Sequence, residues 1–111
     1  MNERLALLGV WEASAVSTGD GKWGLYIPED FRLTHISIFG TVAGGPSTAT
    51  IDVQDDGVDV VAAQAISTDV LSNVADVEIA GDSVIEIDLN LVGGTTATWT
   101  GQIGLWGYWG E

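Results

Sequence analysis

The residues that could do chemistry in this chain are few, and the densest group of them is acidic. Four aspartates lie within residues 52–59: Asp52, Asp55, Asp56 and Asp59. Carboxylate oxygens are the ligands that Ca²⁺ prefers, so the run is a weak candidate calcium site. However, it lacks the spacing and the closing glutamate of an EF-hand, and Asp56-Gly57 is a typical hairpin turn. The pattern therefore favours a turn, and no metal site is predicted elsewhere.

Candidate catalytic groups are isolated from one another in the sequence. His35 is the single histidine, and no serine lies in a G-x-S-x-G nucleophile elbow. Glu86 and Asp88 are two residues apart, which places both carboxylates on one face of a strand. Glycosidases use such a pair of carboxylates, but an acidic strand face more often simply meets water. We therefore expect no enzymatic activity and no cofactor.

Tryptophan is abundant, with five residues in a chain of 111. In a β-protein, exposed tryptophans can form a platform on which sugars stack, whereas core packing and protein interfaces use tryptophan more often. Two apolar groups near the chain ends are candidate interface anchors. They are Leu5, Leu7, Leu8 and Trp11 at one end, and Trp106, Tyr108 and Trp109 at the other.

The charge balance restricts the possible partners. Sixteen acidic residues face three basic ones, Arg4, Lys22 and Arg32, and the formal net charge is -13. Binding a phosphate backbone requires clustered lysine and arginine, so nucleic acid and anionic membranes are excluded as partners. A basic protein surface, divalent cations, a saline medium or simple solubility all agree with the acidity. The chain has no cysteine, so neither disulfides nor thiolate metal sites are available.

Hydrophobic alternation with a period of two residues recurs along the chain and predicts strands. Ile36 and Ile38 alternate with polar residues, as do Ile85, Ile87 and Leu89, and glycine-rich turns separate such runs. The predicted strands are 9–17, 22–27, 32–42, 48–55, 58–66, 75–79, 83–92 and 97–109. This spacing predicts one all-β domain over residues 1–111, an antiparallel sandwich of jelly-roll or Greek-key type. The alternative is an immunoglobulin-like sandwich, which here lacks the Cys…Trp…Cys pattern.

The two ends of the chain depart from this regular pattern. The last predicted strand is aromatic on both faces near its end, where Trp106 and Tyr108 alternate with Trp109. A strand that is apolar on both faces is buried in an assembly or presents an interaction surface. Residues 1–8 are a candidate N-terminal arm that reaches a neighbouring subunit.

An ordered series of turns and strands carries a resemblance over about residues 26–109. Its elements are Pro-Glu-Asp-Phe at 28–31, a strand from His35 to Val42, Gly44-Gly45-Pro46, Ala49 to Val53, the turn Asp56-Gly57, Ile79 to Ser83, Val84 to Leu91, and Gly104 to Trp109. In this order they resemble small β-sandwich domains of tailed-bacteriophage virions. Those domains occur as head decoration (cement) proteins and as modules of head, neck or tail fibres.

The resemblance implies a function in assembly rather than catalysis. It implies a jelly-roll-like fold, self-association as a homotrimer, and a place on the capsid surface of a virion after synthesis in the host cytoplasm. A decoration protein of this kind bridges neighbouring major capsid subunits and stabilises the head. The chain has no long shaft and no second domain, which favours a stand-alone decoration protein. The alternative is a receptor- or carbohydrate-binding module of a tail or fibre.

Overall fold

The computed structural model describes residues 4–110, without the side chains of residue 70 and residues 72–75. It contains eight strands, and every pairing between them is antiparallel. They are β1 (Ala6–Val16), β2 (Gly19–Ile27), β3 (Phe31–Ala43), β4 (Thr48–Asp55), β5 (Val58–Ala65), β6 (Val70–Ile79), β7 (Ser83–Val92) and β8 (Thr98–Trp109). The prediction of a single-domain, all-β antiparallel sandwich is confirmed. No helical segment in residues 4–110 has the length and apolar character that a membrane span requires.

The strands form two four-stranded sheets with jelly-roll connectivity. Sheet A has the order β1-β8-β3-β6, and sheet B has the order β2-β7-β4-β5. The pairs β1–β8, β2–β7, β3–β6 and β4–β5 nest inside one another, as if one long hairpin had been folded over. The immunoglobulin-like alternative is wrong, because that fold keeps its first two strands in one sheet, whereas here β1 and β2 lie in different sheets.

The inner faces of the two sheets enclose one apolar core. Trp99 is completely buried, its ring centroid lies 5.9 Å from that of Trp11, and its indole N–H donates to the carbonyl oxygen of Ile66 at 3.3 Å. Fully burying one such apolar side chain stabilises the fold by about 1.5–3 kcal/mol. The core thereby supplies the stability that disulfides provide in many other small domains.

Two glycines make room for the Trp99 ring. Gly40 on β3 and Gly101 on β8 are directly opposite each other in the register. A Cβ atom on Gly40 would lie 2.6 Å from Cζ2 of Trp99, and one on Gly101 would lie 2.9 Å from the same atom. Since real Cβ contacts are longer than this, only a pair without side chains leaves space for the indole.

A β-bulge at Leu8 decides which apolar residues of β1 face the core. Leu7 is paired with Trp106 and Gly9 with Leu105, so two residues that a regular strand would place on one face lie on opposite faces. Leu8 packs against the core, and Trp11 is only 6% exposed. Trp11, which the sequence placed among the interface anchors, is therefore a core residue.

Three strands begin three or more residues before their predicted starts, and the remaining boundaries agree with the predicted ones to within one residue. β2 begins at Gly19 instead of residue 22. β6 begins at Val70 instead of residue 75, because β3 offers a partner for residues whose own alternation is weak. β1 begins at Ala6, so the last three residues of the predicted arm 1–8 belong to a sheet strand paired with β8. Residues 1–3 of that predicted arm lie outside the described residues.

Candidate functional site

The outer face of sheet A has Trp106 at its centre, between two β-bulges. Leu7 on β1 and His35 on β3 are its cross-strand partners, so the three residues form one row across the sheet. The first bulge, at Leu8, turns Leu7 outward. The second, at Thr34, does the same for His35, because Leu33 pairs with Gly107 and is fully buried. Bulges re-aim side chains in this way near functional sites.

The indole of Trp106 is held in place on this face. Its Nε1–H donates to Oγ of Ser37 on the neighbouring strand at 2.8 Å. Gly104 lies beneath it: a Cβ atom there would be 2.9 Å from Nε1 of Trp106 and 2.6 Å from Oγ of Ser37. Leu7 is also near, with Cδ1 3.5 Å from the same Cβ position on Gly104. The ring is therefore fixed by one hydrogen bond and by the absence of a side chain below it.

Exposed apolar residues continue outward from this centre. The register places Leu71, Ser37, Gly104 and Val10 in the next row, and Phe39 one row further on. Phe39 is 69% exposed, Leu71 61% and Leu7 44%, which is unusual for large apolar side chains in one small region. We call this surface the Trp106 face. It consists of Leu7, Val10, His35, Ser37, Phe39, Leu71, Gly104 and Trp106.

Charged groups border the Trp106 face. Glu12 accepts a hydrogen bond from the Gln102 side chain at 3.3 Å, on the side of β1. On the side of β6, Arg32 forms a salt bridge with Asp76 at 3.2 Å, with the two side chains 35% and 60% exposed. A salt bridge this exposed contributes at most about 1 kcal/mol. An apolar centre with a polar border is the usual arrangement of a protein interface.

The outer face of sheet B is acidic. Asp52 on β4 and Asp88 on β7 are directly opposite each other, and Glu86 follows on the same face of β7. Asp88 is only 6% exposed and accepts the backbone N–H of Gly21 at 2.7 Å. Asp52 accepts the backbone N–H of Ala63 at 2.7 Å. Both carboxylates thus hold irregular segments of the two edge strands, β2 and β5.

The four candidate calcium ligands make separate contacts. Asp56 and Gly57, with φ of 51° and 86°, form the predicted hairpin turn between β4 and β5, and Asp56 accepts the N–H of Val84 at 2.9 Å. Asp59 accepts a hydrogen bond from Gln54 at 2.9 Å. Asp55 is the last residue of β4 and lies on the same face of the strand as the buried residues Ile51 and Val53. In residues 4–110 there is no group of three His, Cys, Asp or Glu side chains that could hold a metal ion.

The aromatic end of β8 splits between two environments. Trp109 packs edge-on against Phe31, with ring centroids 4.9 Å apart at 71°, and stays 46% exposed at the end of the sandwich. It borders a shallow groove of about 320 Å³ together with Pro28 and Glu29. Tyr108 is half-buried on the outer face of sheet A.

Five of the seven predicted anchors are exposed or half-buried, and two further apolar residues, Phe39 and Leu71, are also exposed. The five are Leu5, Leu7, Trp106, Tyr108 and Trp109, whereas Leu8 and Trp11 pack into the core. Phe39 and Leu71 were not predicted as anchors. The alternation around Ile38 does place Phe39 on the outer face, and this was the available signal. Leu71 lies in the part of β6 that the sequence pattern does not reveal.

Compared with known protein families, with curated proteins and with solved structures, the chain matches none of them.

Proposed function

We propose that this chain is a non-enzymatic structural protein of a bacteriophage particle, most specifically a capsid decoration protein. In this proposal it self-associates, as a homotrimer in the arrangement that the resemblance implies, and bridges neighbouring major capsid subunits. One observation carries the proposal: a jelly-roll domain with an apolar, tryptophan-centred outer face on one sheet and an acidic outer face on the other. Such a two-sided module is suited to contacts between subunits on one side and to solvent on the other.

The apolar side supplies energy for the contacts that hold copies of the chain together on the shell. Complete burial of Leu7, Phe39 or Leu71 is worth about 1.5–3 kcal/mol each, before the cost of association is subtracted. A subunit that binds only the assembled shell shifts the equilibrium toward that shell by mass action. Several such contacts per subunit are therefore enough to stabilise a capsid without any chemical step.

The charge supports a position on the outside of the shell. The inner surface of a filled capsid meets DNA, and a chain of net charge -13 is repelled by a phosphate backbone. On the outer surface the same charge keeps decorated particles apart in solution, because like-charged particles resist association. The acidic face of sheet B then faces the medium.

Co-sedimentation with empty capsids tests the proposal. The capsids are assembled from the major capsid protein of the phage whose genome encodes this chain, and the bound chain in the pellet is measured against its concentration. We expect saturable binding and a higher disassembly temperature for decorated shells. The double variant Leu7→Asp/Phe39→Asp should weaken binding, because it removes the contact between copies through which they bind the shell together. Val84→Asp/Val92→Asp, with two exposed valines of sheet B, should keep it. Wild-type chain that stays in the supernatant at every concentration would refute the decoration function.

The groove at Trp109 favours a second candidate, a receptor- or carbohydrate-binding module of a tail or fibre. The exposed indole packs against Phe31 and lines the groove together with Pro28 and Glu29. The volume of this groove, about 320 Å³, is enough for one sugar ring. An aromatic face can stack on the C–H groups of a pyranose, and a carboxylate can accept its hydroxyl hydrogens. Binding to a glycan array that is lost in Trp109→Ala, together with absence from capsid pellets, would replace the first proposal by this one.

A further inference from the structure

We propose that the occupant of the Trp106 face is a second copy of this chain, so that this face is the contact through which the protein self-associates. The inference rests on the proposed function in one respect: it names the surface and the partner for the self-association proposed there.

The outer face of sheet A, with the Trp106 face at its centre, has the area that a stable contact between subunits needs. Sheet A is four strands wide, and its two central strands have 13 and 12 residues. At about 4.8 Å between strands and about 3.3 Å per residue, the whole outer face of the sheet covers roughly 750 Å². A standard interface buries about 800 Å² on each partner, so two copies packed through this outer face, with the Trp106 face as the apolar centre and the charged groups as its border, reach that size.

The charge distribution selects a second copy as the occupant. Two chains of net charge -13 repel each other, so they can pack only where carboxylates are not brought together. The two central rows of the Trp106 face contain no carboxylate among their described residues, whereas the outer face of sheet B has Asp52 opposite Asp88. A strongly basic partner, in contrast, would be drawn to the acidic face. The Trp106 face is therefore the surface on which two acidic copies can meet.

The centre of the face is prepared for contact before any partner arrives. Ser37 and Gly104 fix the Trp106 indole, and two bulges place Leu7 and His35 on either side of it. A fixed aromatic side chain loses little conformational entropy on binding, which is the property of interface hot spots. Phe39 and Leu71, the most exposed members of the face, lie beyond this fixed centre and add contact area.

Both common symmetries bury this face. Two copies can stack their sheets face to face about 10 Å apart around a twofold axis, as the sheets of a sandwich do. Three copies can instead turn the face toward a threefold axis, which is the arrangement that the resemblance implies. In either case the acidic faces of sheet B point away from one another, and the repulsion between the chains is smallest.

Light scattering after size-exclusion chromatography, and sedimentation equilibrium, test the inference on the isolated chain. We expect a mass two or three times the 11.6 kDa of one chain. Association should tighten when salt is raised from about 0.05 M to about 0.5 M, because salt screens the repulsion between the chains and leaves apolar contact intact. Weaker association at high salt, or a monomer up to about 1 mM chain at both salt concentrations, would overturn the inference.

Three variants locate the contact. Phe39→Asp and Phe39→Lys should each weaken association by about 100-fold, because either charge must be desolvated in the apolar contact. Val92→Asp, at a similarly exposed position on sheet B, should leave association unchanged. If Phe39→Lys associates as well as the wild type while Phe39→Asp does not, the effect is one of net charge, and the assignment of this face is wrong.

The capsid experiment separates this inference from the proposed function. A chain that is monomeric in solution yet pellets with capsids, and loses pelleting in the Phe39 variants, would assign the Trp106 face to the capsid and overturn the inference alone. A chain that associates through this face but never pellets with capsids would overturn the decoration function alone.

Discussion

Sheet A and sheet B contribute alike to the core, but the outer face of sheet A is apolar at its centre and the outer face of sheet B is acidic. Their inner positions include Leu33, Ile36 and Leu105 in one sheet and Ile51 and Ile87 in the other, all completely buried. Outside, sheet A presents the apolar Trp106 face and sheet B presents the carboxylates of Asp52, Asp88 and Glu86. Folding accounts for the inner residues, whereas the exposed apolar residues of sheet A gain little from the fold, and this is why a contact with a partner is proposed for them.

The two sheets also use their irregular segments differently. In sheet A the bulges at Leu8 and Thr34 turn Leu7 and His35 outward beside Trp106. In sheet B the irregular segments near Gly21 and Ala63 are tied down by backbone N–H bonds to carboxylates. Irregular backbone thus shapes the Trp106 face in sheet A and stabilises two edge strands in sheet B.

Alanine substitution of two tryptophans of β8 should give the largest difference between an inner residue and an outer residue of sheet A. Trp99→Ala removes a fully buried ring and should lower the free energy of unfolding by about 3–5 kcal/mol. Trp106→Ala removes a half-buried outer ring and should cost the monomer about 1 kcal/mol while abolishing self-association. Urea unfolding at low protein concentration measures the first effect, and light scattering measures the second. An equal loss of monomer stability in both variants would break the comparison.

Glycine-to-alanine substitutions on the two outer faces provide the next test. A methyl group at Gly104 would lie 2.6 Å from Oγ of Ser37, so Gly104→Ala should displace the Trp106 indole, cost about 1–3 kcal/mol and impair self-association. Gly24 on sheet B has its nearest neighbour 3.7 Å from the added Cβ position, so Gly24→Ala is the matched control and should be tolerated. Tryptophan fluorescence and urea unfolding report on the two effects. A normal fluorescence spectrum and normal association in Gly104→Ala would show that the absence of a side chain at position 104 does not fix the Trp106 indole.

A glycine at position 63, in the bulge of the edge strand β5, should stabilise the fold. Ala63 has a φ of 54°, a conformation that costs an L-residue about 1–2 kcal/mol. Ala63→Gly should therefore raise the free energy of unfolding by about 1 kcal/mol, while Ala65→Gly, in the regular part of the same strand, should lower it by about 0.5–1 kcal/mol. Thermal unfolding distinguishes the two signs, and equal signs would show that the bulge is not strained.

The smallest expected effect is a titration at the edge of sheet B. The Tyr26 hydroxyl donates a hydrogen bond to the Asp82 carboxylate, and this bond, with minor contributions from desolvation and the negative charge, raises the pKa of Tyr26 above its ordinary value of 10.0. The folded-state pKa is the higher one, so the stabilisation is complete below about pH 10 and is lost as the pH rises through the raised value. Ultraviolet titration of tyrosinate should show one late-titrating group that is absent in Tyr26→Phe. Tyr108→Phe should retain that late group, and its loss there would assign the shift to the wrong residue.

The alternation of apolar residues was enough to predict most of the fold. Ile36 and Ile38, or Ile85 and Ile87, mark strands buried on one side, and the turn at Asp56-Gly57 was evident from its residue types. The start of β6 could not be predicted, because residues near Leu71 form a strand only with β3 as their partner. Local sequence contains no record of that pairing.

The candidate site was predicted only in part, for a related reason. The sequence drew attention to Trp106 and Leu7, yet it grouped Trp11 with them. A single extra residue at Leu8 reverses the side on which everything beyond it lies, and a bulge is set by pairing with β8, not by residue type. The alternation placed Phe39 on the outer face, but it could not predict which residues lie next to it. The strand register places Leu71 and Ser37 in the neighbouring row.

The nesting of the strand pairs has a consequence for the order of events during synthesis. β1 and β8 are the outermost pair of the folded-over hairpin, and Leu7 meets Trp106 only after almost the whole chain has left the ribosome. β8 also lies between β1 and β3, so no row of the Trp106 face is complete before β8 is made. If copies join through the Trp106 face as proposed, a subunit without β8 lacks the complete contact surface, and the topology delays assembly until β8 has been made.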